Sequence, residues 1–141
     1  MKKSAMVVWT GDFKQGKGLI TTESGALKQI PYSFTTRFEG MPGTNPEELI
    51  GAAHAGCFSM ALSAFLNKEG FSVNEINTKA QVSLEQVEGD WTITAIHLDL
   101  KASVQDIDES KFLEIAQIAK AKCPVSRVLN AKITLDAKLV I

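Results

Sequence analysis

Two cysteines, Cys57 and Cys123, are the residues of this sequence with the widest choice of chemistry. They stand 66 residues apart, so they do not form a local motif. Cys57 follows a run of small residues, a setting in which a cysteine is commonly a small buried hydrophobe. Cys123 precedes Pro124, which favours the first position of a helix, so Cys123 is predicted to cap that helix. Amide donors and the helix dipole favour a thiolate there. Both cysteines stay open between a structural and a reactive role.

Three further side chains could act on a thiol. His54 lies three residues before Cys57, within side-chain reach on a helix. It either lowers the pKa of the thiol or is a hydrogen-bonded histidine of the core. Arg37 carries its donors in a rigid fork that can hold an anionic sulfur and an oxygen ligand together. Glu47 is a carboxylate that no helix cap requires, and it could orient that fork, unless the two residues form a solvated surface pair.

Composition narrows the class of protein to which these residues belong. The chain has 141 residues, 45% of them hydrophobic, and 15 basic residues nearly balance 16 acidic ones. This length predicts one domain over residues 1–141, with a core large enough to fold without disulfides. The apolar content excludes a disordered chain, and two cysteines exclude a disulfide-rich secreted scaffold. Near-neutral charge without a basic stripe argues against nucleic-acid binding.

Two other kinds of site lack the spacing that they require. Two cysteines and two histidines could supply four zinc ligands, but only His54 and Cys57 are close together, and zinc-finger or ribbon spacing is absent. The run GDFKQGKG (residues 11–18) resembles a phosphate-binding loop, but a glycine replaces its final serine or threonine and a strand follows it. We therefore expect neither a metal site nor a phosphate-binding loop.

Residues 49–66 form an 18-residue run without Asp, Glu, Lys or Arg, which reaches the length of a membrane span. The run is rich in Ala, Gly and Ser and contains His54, and these residues transfer poorly into hydrocarbon. We interpret it as a buried helix. The N-terminal residues show no apolar segment of the length expected for a targeting signal. We therefore expect a cytoplasmic protein without a membrane partner, whose thiols stay reduced unless redox chemistry is their task.

Capping signals delimit this helix. Asn45 is a favoured N-cap, Pro46 suits the first helical position, Glu48 stands where a capping box places its acid, and Gly70 is a left-handed stop. A helix of about 24 residues spans roughly 36 Å. Because a sheet can cover only one side of such an apolar helix, we predict that a second copy of the chain covers the other.

The rest of the sequence predicts strands and shorter helices. In order, these are strands at 5–10, 18–22 and 27–35, hairpin strands at 78–87 and 91–104 around Glu88-Gly89-Asp90, a helix capped by Asp108, a helix from Pro124, and a strand over 133–139. The inner face of the first of these two helices is predicted to carry Phe112, Ile115, Ala116 and Ala119. This order indicates an α+β fold and not repeated βαβ units.

Three motifs carry most of the family information. They are TTRFEG (residues 35–40), GTNPEELIGAAHAGCFSMAL (43–62) and KCPVS (122–126). Together they resemble the osmotically inducible protein C (OsmC) family, which is related to the organic hydroperoxide resistance (Ohr) proteins. Gly56 departs only mildly from the alanine expected before the first cysteine. The resemblance implies an α+β fold with antiparallel sheets around a long central helix, an intertwined homodimer, and a thiol-dependent peroxidase of oxidative or osmotic stress defence.

The resemblance also implies roles for single residues. Cys57 matches the peroxidatic cysteine, Cys123 the resolving cysteine, and Arg37 with Glu47 the activating pair. The substrate would be an organic hydroperoxide, an external dithiol would reduce the resulting disulfide, and no metal, haem or flavin would be needed. Apolar residues that either favour an organic substrate or belong to the core are Phe58, Met60 and Phe65.

The spacing of Glu47 and Cys57 adds a prediction about which chain supplies each residue. Ten residues on one helix separate them by about 15 Å along its axis, which a glutamate and an arginine hardly bridge. If all four residues share one site, Glu47 is therefore predicted to come from the partner chain, together with Arg37. Two other functions stay open. One is a redox-sensing or binding protein that is oxidised once without turnover, and the other is a structural storage protein in which neither cysteine matters.

Overall fold

Six strands and four helices make up residues 1–140, the part of the chain that a computed structural model describes. In chain order they are β1 (Ala5–Thr10), β2 (Lys17–Thr22), β3 (Ile30–Tyr32), α1 (Phe34–Phe38), α2 (Pro46–Lys68), β4 (Val73–Val87), β5 (Asp90–Val104), α3 (Glu109–Lys122), α4 (Pro124–Val128) and β6 (Lys132–Val140). The α+β class is confirmed.

The chain divides into an N-terminal unit, Met1–Leu49, and a C-terminal unit, Ile50–Ile141. The single domain over residues 1–141 stays a prediction.

The N-terminal unit is built on an antiparallel sheet in the order β1-β2-β3. Gly18 of β2 lies opposite Tyr32 of β3, and a β-carbon at Gly18 would collide with the tyrosine ring, so only glycine fits there. All six residues of β1 are exposed in the single chain, although Met6, Val7 and Val8 are apolar. This strand therefore presents apolar surface that its own chain leaves uncovered.

The strand predicted over residues 27–35 is wrong at its C-terminal end. Only Ile30–Tyr32 is strand, and α1 follows because Ser33 caps it. The Ser33 hydroxyl accepts from the Thr36 backbone N–H (3.4 Å), and the Thr36 hydroxyl accepts from the Ser33 backbone N–H (2.9 Å). This reciprocal capping box turns the chain into a short helix that carries Arg37.

The C-terminal unit is built on a sheet in the order β4-β5-β6. Glu88 and Gly89 join β4 to β5 and both have positive φ (52° and 88°), which is typical of a two-residue hairpin turn. The predicted hairpin is confirmed, and β4 begins earlier than predicted, at Val73. The expectation of antiparallel sheets is corrected for β6, which runs parallel to β5. Parallel neighbours need a long crossover, and α3 and α4 supply it.

The ends of α2 follow the predicted signals with one exception. Asn45 Oδ1 accepts from the Glu48 backbone N–H at 2.8 Å, as an N-cap does. At the other end, the Phe71 N–H donates back into the last turn (3.0 Å) around Gly70, whose φ is +88°. The exception is the Glu48 carboxylate, which accepts from the Thr44 hydroxyl (2.9 Å) instead of closing a capping box. Local sequence thus sets both ends of the helix.

The hydrophobic core of the C-terminal unit is formed by one face of α2, the inner face of β5 and the inner face of α3. Its fully buried members include Phe58, Leu62, Leu66, Ile96, Leu98, Leu100, Phe112, Ala116, Ala119 and Cys123. The alternation predicted for β5 and the inner face predicted for α3 are therefore confirmed.

The remaining surface of α2 is apolar and largely uncovered. Within residues 1–140, α2 is the one helix long and apolar enough to cross a membrane, with a mean hydropathy of 1.6, although the core helix of a soluble protein can meet the same criterion. Only 28% of its most apolar window is buried in the single chain. In the single chain this helix is therefore packed on one face only, and the side that we predicted a second copy to cover is open. Met60 is among its exposed residues.

Phe112→Ala is expected to lower the free energy of unfolding by about 3–5 kcal/mol, because the ring is fully buried and its removal leaves a cavity. The matched control is Leu113→Ala, the next residue of α3, which is 38% exposed and should cost far less. Urea unfolding of both variants at one protein concentration measures the difference. Equal losses would contradict the assignment of the inner face of α3.

Candidate active site

Two cysteines that are distant in sequence meet in the C-terminal unit. Cys57 lies on α2, while Cys123 ends α3 and caps α4. Both are free thiols, and their Sγ atoms are 3.1 Å apart. This is hydrogen-bond distance, and it exceeds the roughly 2.0 Å of an S–S bond by about 1 Å. Within residues 1–140, no group of three or more His, Cys, Asp or Glu side chains could hold a metal ion. A small side-chain movement would close a disulfide.

The two sulfurs differ in their access to solvent. Cys57 is partly exposed, whereas Cys123 is fully buried, at 0% exposure. A dissolved oxidant can therefore meet Cys57, while the immediate neighbour of the Cys123 sulfur is the sulfur of Cys57. This difference favours attack on an oxidant by Cys57 and a following step by Cys123.

Within one chain, the pKa values of the two thiols favour the opposite assignment, with Cys123 as the more acidic sulfur. Burial opposes ionisation of Cys123, but hydrogen bonds from the Ser126 backbone N–H (3.4 Å to Sγ), the Cys57 thiol, the Ser126 hydroxyl and the Val125 N–H outweigh it and lower the pKa of Cys123. The pKa of Cys57 is raised, chiefly by burial, and also by Cys123, against a donor N–H of Val125. Cys123 is therefore the more acidic thiol within one chain, and a cation beside Cys57 would be needed to favour the Cys57 thiolate.

His54 is buried one turn before Cys57 on α2. Its Nε2 lies 2.7 Å from Ser126 Oγ, and burial lowers the pKa of His54, which favours the neutral ring. Of the two roles open for His54, the structure shows the hydrogen-bonded core histidine. Sequence reasoning missed Ser126 as the partner of both His54 and Cys123. Its one signal was its place in the KCPVS motif, because the contact depends on how α4 folds back towards α2.

In the N-terminal unit, Arg37 and Glu47 form a bidentate ion pair. Arg37 Nη2 donates to Glu47 Oε1 at 2.6 Å, and Arg37 Nε lies 3.2 Å from both carboxylate oxygens. The side chain of Glu47 is only 10% exposed and that of Arg37 is 31% exposed, so the alternative of a solvated surface pair is wrong. Because Nη1 takes no part in these bonds, the far side of the fork can hold a second anion.

An aromatic cavity adjoins Arg37 in the same unit. Its volume is about 200 Å³, and its other lining residues are Trp9, Phe13, Tyr32, Ser33, Phe34 and Phe38. The rings of Phe13 and Phe34 meet edge to face, with their centroids 5.1 Å apart. The guanidinium of Arg37 lies over the ring of Phe38, 5.1 Å from its centroid. The site thus places a cation at the wall of an apolar space.

Sequence reasoning looked for apolar substrate contacts elsewhere. Phe58 is a fully buried core residue, Phe65 packs against the core, and Met60 is exposed. The cavity was missed because the sequence predicted strand where α1 begins, and α1 supplies Phe34, Arg37 and Phe38 to its wall.

The reduced cysteine pair on an α+β scaffold defines a thiol redox protein. Residues 38–138 match the family model described as OsmC-like protein, and the chain belongs to the OsmC family. The chain is 57% identical over 137 residues to Peroxiredoxin OsmC of Escherichia coli, covering 97% of this chain and 96% of that protein. The family resemblance seen in the sequence is therefore confirmed.

More distant relatives agree with this placement. The organic hydroperoxide resistance protein OhrB of Bacillus subtilis is 30% identical over 122 residues, covering 86% of this chain and 88% of that protein. The structure of an OsmC-like protein of unknown function from Vibrio cholerae has a TM-score of 0.78 at 16% identity, covering 97% of this chain and 99% of that one. The second comparison shows a shared fold.

Proposed function

We propose that this protein is a thiol-dependent peroxidase in which Cys57 reduces a hydroperoxide and Cys123 resolves the product as a disulfide. The observation that carries the proposal is the 3.1 Å separation of two free sulfurs, one of them partly exposed. Membership of the OsmC family and the 57% identity to a protein named Peroxiredoxin OsmC support this activity. The protein would act in the cytoplasm, where thiols stay reduced, in defence against oxidative or osmotic stress.

The first step oxidises Cys57. Its thiolate attacks the terminal oxygen of the hydroperoxide, the O–O bond breaks, and the leaving alkoxide takes a proton to become the alcohol. Cys57 is left as a sulfenic acid, two electrons more oxidised than the thiolate. Because the pKa of Cys57 is raised within one chain, this step needs a cation beside the sulfur.

The second step returns Cys57 to a form that a dithiol can reduce. The Cys123 thiolate attacks the sulfenic sulfur, the S–S bond forms as the S–O bond breaks, and the departing hydroxide takes a proton to become water. The lowered pKa of Cys123 suits this role. An external dithiol then exchanges with the disulfide, becomes oxidised itself and restores both thiols.

We assign the required cation to Arg37 of a second copy, held by Glu47 of that same copy. Arg37 and Glu47 of one chain are paired at 2.6 Å, so they act as one unit. Glu47 and Cys57 are ten residues apart on α2, about 15 Å along the axis, and a second copy can supply the pair without that gap. The uncovered apolar faces of α2 and β1 offer such a copy its surface, which supports a homodimer over a membrane partner.

The aromatic cavity supports an organic hydroperoxide as the substrate. A space of about 200 Å³ lined by rings admits an alkyl or aryl substituent, which hydrogen peroxide lacks. The guanidinium at its wall can bind the peroxide oxygens as negative charge develops on the leaving one. A relative named for organic hydroperoxide resistance supports the same substrate class.

Cys123→Ser is expected to stop the reaction at the sulfenic acid. One equivalent of cumene hydroperoxide should remove two hydrogens from the intact mass of the reduced wild-type protein, because a disulfide forms. The Cys123→Ser variant should instead gain one oxygen, which peptide mass analysis should locate on Cys57. A Cys123→Ser protein that takes up no oxygen would contradict the assignment of Cys57 as the attacking sulfur.

Turnover separates this proposal from the other functions. With an external dithiol, a peroxidase consumes many equivalents of hydroperoxide per protein chain, whereas a redox sensor is oxidised once and a storage protein does not react. A single oxidation without further consumption would favour the sensing function and reject the enzyme.

A further inference from the structure

We propose that His54 is a positioning residue that acts through Ser126 on the resolving thiolate of Cys123. The inference rests on the proposed function and deepens it, because it concerns the second step of the same cycle. His54 is a buried titratable residue to which neither step of the cycle gives a part, and its hydrogen bond leads to the residue that supports the resolving sulfur.

The side chains form a closed ring of contacts in the C-terminal unit. His54 Nε2 lies 2.7 Å from Ser126 Oγ. The Ser126 backbone N–H donates to Cys123 Sγ at 3.4 Å. Cys123 Sγ lies 3.1 Å from Cys57 Sγ, which returns the path to α2, three residues after His54. His54 is therefore linked to the cysteine pair through a single residue, Ser126.

The surroundings of His54 set the direction of this hydrogen-bond chain. The ring is fully buried, and Nδ1 meets no hydrogen-bond partner among residues 1–140. A buried N–H without an acceptor is rarer than a buried acceptor without a donor, so the proton belongs on Nε2. Burial also lowers the pKa of His54 and keeps the ring neutral. Nε2–H then donates to Ser126 Oγ, and the backbone N–H of the same serine donates to Cys123 Sγ.

A serine that accepts a hydrogen bond from His54 stabilises the Cys123 thiolate through its backbone N–H. The same bond anchors the first turn of α4, so the Ser126 backbone N–H stays aimed at Cys123. Cys123 is thereby held in place, with its pKa lowered, for attack on a Cys57 sulfenic acid.

The test separates the two steps of the cycle. Reduced protein is mixed with one equivalent of cumene hydroperoxide and with dimedone, which captures a sulfenic acid before it resolves, and the intact mass gives the ratio of adduct to disulfide. His54→Leu should resolve about tenfold more slowly, the effect of weakening one hydrogen bond to a charged sulfur. Consumption of the first equivalent of hydroperoxide should keep its wild-type rate. Ser126→Ala should show the same slowing, and the double variant should be no slower than Ser126→Ala alone.

Two further variants distinguish positioning from packing. His54→Gln should restore resolution, because its amide nitrogen can replace Nε2 as the donor to Ser126. The matched control is Ser59→Ala, also on α2, which removes a hydroxyl bonded to Thr78 Oγ1 (2.8 Å) on β4 and should resolve at the wild-type rate.

Wild-type resolution in both His54→Leu and Ser126→Ala would overturn the inference. A folded His54→Gln as slow as His54→Leu would overturn it too, because only a packing role would remain. If His54→Leu does not fold, Ser126→Ala decides alone, since the hydrogen-bond chain passes through its hydroxyl. Failure of the proposed function would look different, with no sulfenic acid on Cys57 in the wild-type protein either.

Discussion

Cys57→Ser is expected to abolish hydroperoxide reduction, with a loss of about a thousandfold or more in kcat/KM. Serine keeps the shape of cysteine, but its hydroxyl is not ionised at neutral pH and cannot form a sulfenic acid. Dithiol-coupled consumption of cumene hydroperoxide measures the rate, and the intact mass should show no oxygen uptake at one equivalent.

This variant tests which of two properties, acidity or solvent access, determines the attacking sulfur, because the two favour different cysteines. Within one chain the pKa of Cys123 is lowered and that of Cys57 is raised, so acidity alone would make Cys123 the attacking sulfur. Access favours Cys57, because Cys123 is 0% exposed. We expect access to prevail, because the Arg37 guanidinium that we assign to the second copy would reverse the order of acidity.

The comparison for Cys57→Ser is Cys123→Ser, which should still consume one equivalent of hydroperoxide. Both substitutions replace one sulfur of the same pair by oxygen, so each removes one thiol and leaves the other. Oxygen uptake on Cys123 in the Cys57→Ser protein would reverse the two roles and show that acidity outweighs access.

A mixed dimer of an Arg37→Ala chain and a Cys57→Ser chain is expected to recover activity that neither parent dimer has. If Arg37 and Glu47 serve the cysteines of the other chain, one of the two sites receives an intact Arg37 and an intact Cys57, while the other site has neither. Purified heterodimer, selected through two different affinity tags, should therefore show about half of the wild-type rate per dimer. The Arg37→Ala parent should lose about 10²–10³-fold, the effect of removing a donor to developing negative charge.

The control heterodimer pairs Cys57→Ser with Cys123→Ser. Both sulfurs of one site belong to one chain, 3.1 Å apart, so each site of this heterodimer lacks one of them. It should perform no better than the mean of its two parents. Recovery there would show that the two sulfurs of a site come from different chains. No recovery in the mixture that carries Arg37→Ala would reject the supply of Arg37 by the partner chain.

Much of the fold could be predicted from the sequence, because the signals that end helices and form turns are local. Asn45 and Gly70 mark the ends of α2, Asp108 caps α3, and the Glu88-Gly89 turn closes the hairpin. Each depends on hydrogen bonds within a few residues of the signal, so neighbouring side chains suffice to predict it. The failures had two different causes. The capping box of Ser33 competes with a run that looks like strand, and the direction of β6 depends on the crossover before it.

The kinds of chemistry available to this protein follow from its composition and motifs. Two thiols, an arginine and a carboxylate permit thiol redox chemistry, because the reactivity of a side chain belongs to its residue type. The resemblance of the motifs to the OsmC family was needed to predict a redox pair and a group that activates it. Which of these side chains meet depends on the path of the chain. The 3.1 Å contact of Cys57 with Cys123 and the Ser126 bond to His54 arise because α3 and α4 bring the later residues back to α2. Contacts across 66 and 72 residues are set by the packing of the core, which no local pattern encodes.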